Sequence, residues 1–307
     1  MLDPGAVASR FTSALAGVIR CSWPVLAALA GALGCASPTE MADIVYDDRF
    51  GEETTLDLYL PEDGATQRPA VLFFHGGVWA SGDKSQYGDA AQRLGGSGYV
   101  AATANYRLVP EGSYPAAIQD ARCALAFLRA HAAEYGIDPD RIAVAGYAAG
   151  GYLASMLGVA QGTAELEPDC SAGTTGAANA VIAAAAMHDL TLLDDTSEVE
   201  EFLGGTLADL PDRYSIASPV SHVKPGAPPY LLIHGDFDWM INVEQSERME
   251  AALREAGGSV RLLELFDPGH SLAAGADNGG LYFGSVRDRP ESWTVIIDFL
   301  YESLGAP

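Results

Sequence analysis

The sequence predicts an α/β fold: a central, mostly parallel sheet of eight strands with helices on both faces. Three observations carry that prediction. Short apolar runs of strand length recur along the chain, segments with an apolar stripe at helical spacing separate them, and several runs end in glycine-rich turns. Continuous apolar runs of this kind mark strands buried on both faces, the condition of a parallel sheet.

The elements follow in order. Residues 43–50 and 54–60 read as an opening antiparallel pair. The run at 70–74 ends in His75-Gly76-Gly77, and the next run spans 99–105. From 115 to 135, Ile118, Ala121, Leu125, Leu128 and Ala132 form one helical stripe. Pro115 suits the first turn of that helix, and Gly136 suits the left-handed stop after it. A helix at 151–160 follows the run at 141–145, and a long connection, 189–224, follows the run at 180–187. A connection of that length carries structure of its own. It reads as short helices and part of a lid or acyl pocket, with a solvated acidic insertion as the alternative for 194–201. Runs at 229–234 and 260–266 complete the sheet, with helices at 243–256 and 293–304. No repeat, low-complexity tract or linker divides residues 36–307, which therefore read as one domain.

The 307 residues are 49% hydrophobic and 19% charged, a globular composition. A formal net charge of −24 repels phosphate backbones and anionic lipid headgroups, so no nucleic-acid partner is expected. Residues 1–35 stand apart. Arg10 and Arg20 precede an apolar run at 21–34 that ends in small residues before Cys35, the pattern of an export signal. The run is short for a membrane span of about 20 residues. Gly34-Cys35 also resembles a lipoprotein cleavage box, which would make Cys35 a lipid anchor. The expected location is the bacterial periplasm, the extracellular space or a lipid-anchored surface, with no membrane span after signal removal. In an exported chain the two remaining cysteines, Cys123 and Cys170, are expected to form a disulfide. Neither has a second cysteine at metal-ligand spacing, and no metal site is expected.

Ligands of an open α/β sheet bind outside the carboxyl ends of its strands, so the loops there carry the chemistry. Gly146-Tyr147-Ala148-Ala149-Gly150 joins a strand to a helix in the setting of the nucleophile elbow, G-x-S-x-G. Every part of that elbow is present except the serine oxygen, because residue 148 is alanine. After the run at 229–234 comes His234-Gly235-Asp236-Phe237-Asp238, and after the run at 260–266 comes Asp267-Pro268-Gly269-His270. Asp238 is the favoured acid, with Asp236 as its rival and His234 as the residue that orders the acid loop. The order of elbow, acid and histidine is that of α/β-hydrolases. The N–H groups of Gly77, Val78 and Ala149 would face a developing oxyanion. His131, His188 and His222 lack this context and read as structural.

Residues 42–304 then resemble a known family. His75 to Lys84, HGGVWASGDK, is similar to the HGGGWxxGDK stretch of BD-FAE-like carboxylesterases, bacterial relatives of feruloyl and carbohydrate-acetyl esterases. NYRLVP at 105–110, YGIDPDR at 135–141 and DWMINVEQS at 238–246 resemble family segments too. The resemblance implies an α/β-hydrolase fold, a small-molecule ester as partner, and hydrolysis of short-chain, aryl or carbohydrate esters with no cofactor. His75, Gly76, Trp79, Tyr147 and Trp239 flank the catalytic positions and are the expected substrate contacts. Kynurenine formamidases and hormone-sensitive-lipase-like esterases share much of this pattern, so the substrate class stays open.

Two positions depart from the family. Val78 replaces the third glycine of HGGG but keeps its N–H, a change expected to be mild. Ala148 removes the nucleophile. Neither Tyr147 nor Ser155 is placed to replace it. Three readings follow: an esterase disabled by one substitution, natural or introduced; a pseudoenzyme that binds an ester or partner; or a slow catalyst in which His270 activates water.

Overall fold

The computed structural model describes residues 37–173, 175–193, 196–266, 269–270 and 290–307. The expected export signal with Arg10, Arg20 and Cys35 lies outside them, as do Asp267 and Pro268.

The sheet has eight strands: β1 (Thr39–Val45), β2 (Thr55–Leu60), β3 (Arg68–Phe74), β4 (Val100–Ala104), β5 (Ile137–Tyr147), β6 (Ala180–Ala184), β7 (Tyr230–Gly235) and β8 (Val260–Leu265). Their spatial order is β1-β2-β4-β3-β5-β6-β7-β8. Only β2 runs antiparallel to its neighbours; the other pairings are parallel. Every residue of β3, β4, β6 and β7 is buried, as the unbroken apolar runs require. The described helices are α1 (Gly88–Gly96), α2 (Ala116–Ala130), α3 (Ala149–Val159), α4 (Ser197–Leu203), α5 (Pro211–Ala217), α6 (Glu244–Glu255) and α7 (Pro290–Leu304).

The topology does two things for the site. Pairing β3 with β5 sets Phe74 opposite Gly146, so the HGG loop and the elbow leave the sheet side by side. Pairing β7 with β8 sets Gly235 opposite Leu265, so the acid loop and the histidine loop also emerge together.

Some boundaries move. The opening strand, expected at 43–50, is Thr39–Val45. Asp47 ends it by accepting hydrogen bonds from the backbone N–H and the guanidinium of Arg49, a local contact that competes with the ladder. The strand expected at 180–187 stops at Ala184, because Ala185 takes a positive φ of 43°. The connection after β6 carries α4 and α5, and Phe202 of α4 turns inward. Cys123 of α2 lies beside Cys170, with Cα atoms 5.6 Å apart, within the reach of a disulfide. No helix among the described residues is long and apolar enough to cross a membrane.

Candidate active site

The elbow forms where β5 meets α3. Ala148 sits between them with φ 48° and ψ −116°, a strained conformation for a residue with a side chain. Its N–H donates to Ala184 O of β6 at 2.9 Å, which fixes the turn against the sheet. The elbow glycines are there for close approach. A Cβ on Gly150 would lie 1.9 Å from Phe74 O, one on Gly146 2.3 Å from the Gly150 backbone, and one on Gly151 2.7 Å from Ala186 Cβ. The turn therefore holds its tight geometry although no hydroxyl remains for it to present. Ser155 lies seven residues further along α3, about 10 Å by helical rise, and is fully buried.

The acid and the histidine meet. His270 Nδ1 is 2.7 Å from Asp238 Oδ2. Beside an ionised acceptor Nδ1 carries the hydrogen, which leaves Nε2 as the basic nitrogen. Asp238 is buried, and its other oxygen accepts N–H bonds from Met240 (2.9 Å) and Ile241 (2.8 Å). Burial pushes this carboxyl up, but hydrogen bonds from His234 and His270 outweigh it and hold the group well below the usual carboxylate range. Asp236 is exposed at the start of the loop, and its N–H donates to Leu265 O.

His234 ties the acid loop together from beneath. Its Nε2 faces two acceptors, Ile241 O at 2.8 Å and Asp238 Oδ2 at 3.4 Å, so it carries the hydrogen. Its Nδ1 then accepts from the Ser246 hydroxyl at 2.7 Å. Tyr147 makes a contact that the sequence reading missed: its hydroxyl donates to His270 O at 2.5 Å, joining the elbow to the histidine loop. No spacing rule in the sequence signals that bond.

The loop after β3 has three consecutive residues at positive φ: Gly77 (114°), Val78 (50°) and Trp79 (60°). Valine was expected to be a mild replacement for glycine at 78, and that expectation is corrected. A β-branched residue at φ 50° is strained by about 1–3 kcal/mol, where glycine is not. The N–H of Ala149 opens α3, where no intrahelical acceptor exists.

The expected substrate contacts divide into two groups. Trp239 is 79% exposed. His75 is instead buried, with Nδ1 2.8 Å from Gly76 O and its ring stacked on Tyr106. Gly76 lies against the Tyr147 ring, where a Cβ would come within 2.9 Å. Trp79 is fully buried, stacked on Phe202 at 4.1 Å and edge-on to Tyr152. His75, Gly76 and Trp79 are buried where the tight loop packs onto the sheet, while Trp239 stands in solvent. His131 stacks on Phe127, and His222 Nε2 donates to Ile216 O.

His188 follows β6, fully buried, with no hydrogen-bond partner for either ring nitrogen among the described residues. Burial, and then nearby His234, push its pKa down to about 3. The unfolded imidazole takes a proton near pH 6.5 and the folded one only near 3, so acid favours the unfolded state across that window. Each pH unit below about 6.5 is expected to remove about 1.4 kcal/mol through this residue. Urea unfolding at pH 7.5, 6 and 4.5 checks it: stability should fall less steeply in His188→Met than in the parent, and parallel declines would acquit His188.

A sequence model of the BD-FAE family matches residues 56–253. The chain belongs to the BD-FAE family. It is 33% identical over 246 residues to Esterase LipQ of Mycobacterium tuberculosis, covering 76% of this chain and 57% of that protein. It is likewise 33% identical over 239 residues to Esterase LipC of the same organism, covering 73% of this chain and 59% of that protein. The chain thus spans less than two thirds of the length of these curated relatives. Among solved structures, esterase 2 of Thermogutta terrifontis phosphonylated by sarin superposes with a TM-score of 0.72 at 27% identity, covering 88% of this chain and 97% of the other. A truncated carbohydrate esterase from gut microbiota superposes with a TM-score of 0.77 at 24% identity, covering 87% and 96%, which speaks for the fold alone. The chain accordingly has the α/β-hydrolase fold, and the relatives and solved structures it resembles are esterases.

Proposed function

We propose that this BD-FAE chain binds a small carboxylic ester in a hydrolase site that it cannot complete, because position 148 lacks a nucleophile. One observation carries the reading: the strained elbow at Ala148 and the Asp238–His270 pair persist together around a missing oxygen. In the complete reaction a hydroxyl at 148 would attack the ester carbonyl, His270 would pass its proton to the leaving alcohol, and water deprotonated by His270 would then release the acid and restore the hydroxyl. Asp238 would hold the imidazole in its Nδ1–H tautomer. The N–H groups of Gly77, Val78 and Ala149 would receive the oxyanion. As it stands, the chain retains the binding and polarising parts of this machinery, and the bound ester stays intact.

The test sets parent and Ala148→Ser side by side on p-nitrophenyl acetate. Turnover by the variant alone supports the reading. Two inactive proteins would favour a pure binding module, and fast turnover by the parent would refute the disabled site.

We further infer that the chain acts outside the cytoplasm. The basic flank and short apolar run at 1–34 support export, with Cys35 as an optional lipid anchor. Cys123 and Cys170 are proposed to be disulfide-bonded in that oxidising compartment, their proximity supporting the pairing. Closing a loop of 47 residues is worth about 4 kcal/mol in the chain-entropy account. Guanidinium unfolding with and without reductant should differ by up to that amount. Free thiols mapped to both Cys123 and Cys170 in the unreduced, denatured mature protein would refute the pairing.

A further inference from the structure

Eight large apolar side chains are exposed among the described residues, and their distribution is uneven. Met41, Val45, Ile216 and Tyr301 are scattered over β1, α5 and α7. The other four are Phe237 (64% exposed), Trp239 (79%), Met240 (47%) and Phe266 (79%). All four lie on the acid loop and the segment leading to His270, and none belongs to the core cluster. The two segments run together: Gly235 pairs with Leu265, and Asp236 N–H donates to Leu265 O at 3.1 Å. Trp239 also lies against Gly269, where a Cβ would be in ordinary contact with the indole at 3.7 Å. The indole is thus adjacent to the residue before His270.

Solvent-exposed aromatic rings gathered at one site mark a binding surface, because folding gains nothing from leaving them in water. We propose that this surface is the platform for the alcohol part of the ester, and that it selects esters of flat, ring-bearing alcohols over those of short alkyl alcohols. This rests on the ester-binding reading above. The side of the ester follows from the chemistry of the histidine. The group that protonates the leaving alcohol must adjoin it, and the platform adjoins His270. On the oxyanion loop the one tryptophan, Trp79, is buried and stacked on Phe202, so it adds no exposed ring to the platform. Charge further disfavours anionic alcohols: the chain carries −24, and Asp236 is exposed within the platform.

The missing hydroxyl makes the test direct, since an ester can be titrated into the parent without being consumed. The probes are ethyl, benzyl and 2-naphthylmethyl acetate, three acetates of primary alcohols that differ chiefly in ring area. The readout is the indole N–H signal of Trp239 in 15N-labelled protein, assigned by its loss in Trp239→Phe. The signal should shift saturably, with affinity rising from ethyl to naphthylmethyl by at least about tenfold, the size expected of one stacked ring pair. Trp239→Ala should flatten that series. In the Ala148→Ser background, Trp239→Ala should raise KM for the naphthylmethyl ester about tenfold with kcat little changed.

Equal affinity for the three esters, or an unmoved Trp239 signal, overturns the platform. So does a Trp239 shift that follows protein concentration without ester, which would assign the surface to a second copy of the chain. The two proposals fail separately. Ala148→Ser that hydrolyses all three acetates with the same KM keeps the ester reading and loses the platform. An inactive Ala148→Ser whose Trp239 still ranks the esters keeps the platform and loses the hydrolase reading.

Discussion

Adding one oxygen by Ala148→Ser is expected to raise kcat on p-nitrophenyl acetate by about 10⁴- to 10⁶-fold over the parent. The upper figure is the loss seen when the serine of a working triad is removed, and the lower allows for imperfect oxyanion geometry. The backbone is already in place: Ala148 holds φ 48° and ψ −116° between β5 and α3, and its N–H is bonded to Ala184 O. Serine adds a single atom to a Cβ already fixed in position, so no refolding has to accompany the gain. The strain at Val78 predicts where a shortfall would come from. If Ala148→Ser reaches only the lower end, adding Val78→Gly should recover part of the difference by relaxing the oxyanion loop. Stopped-flow measurement of the p-nitrophenolate burst separates the two effects, because it reports formation of the acyl-enzyme apart from its hydrolysis. A variant no faster than the parent would mean that His270 Nε2 does not reach position 148.

How far the sequence disclosed this site depends on the kind of interaction at each position. The eight strands and the long amphipathic helices were legible, because buried parallel strands and apolar stripes leave periodic marks. The elbow was legible because its glycines stand where a side chain cannot fit, a Cβ at Gly150 coming 1.9 Å from Phe74 O. Sequence favours Asp238 but leaves Asp236 as a rival, since residues two apart in a loop carry no periodic signal. Burial and the 2.7 Å contact with His270 separate them. The exposed-or-buried status of the expected ligand contacts was not legible at all. Trp79 and Trp239 look alike in sequence, yet one stacks under Phe202 and the other stands in solvent. That difference is set by α4, which arrives from more than a hundred residues away. The same holds for the Tyr147 hydroxyl on His270 O, a contact between loops 123 residues apart.

Asp238→Asn in the Ala148→Ser background is expected to cost about 10⁴ in kcat while leaving the fold intact. The carboxylate does two separable jobs. Through Oδ1 it accepts the N–H groups of Met240 and Ile241 and so holds the loop, and an asparagine carbonyl oxygen can do the same. Through Oδ2 it accepts from His270 Nδ1, and there asparagine presents an NH₂ group instead. Two donors cannot face each other, so the imidazole must give up its Nδ1 hydrogen and carry one on Nε2. It then has no lone pair left for the hydroxyl at 148. His234 sharpens the contrast, because its Nε2–H keeps Ile241 O at 2.8 Å whichever side chain stands at 238. Loop geometry and catalysis should therefore separate: melting temperature near that of the Ala148→Ser parent, kcat collapsed, KM little changed. Asp236→Asn is the matched control, an amide of the same size on the same exposed turn, and should leave kcat within about twofold, the range of an ordinary surface change. Equal losses from the two substitutions would mean that charge near the histidine matters and its tautomer does not. A collapse confined to Asp236→Asn would reverse the assignment of the acid.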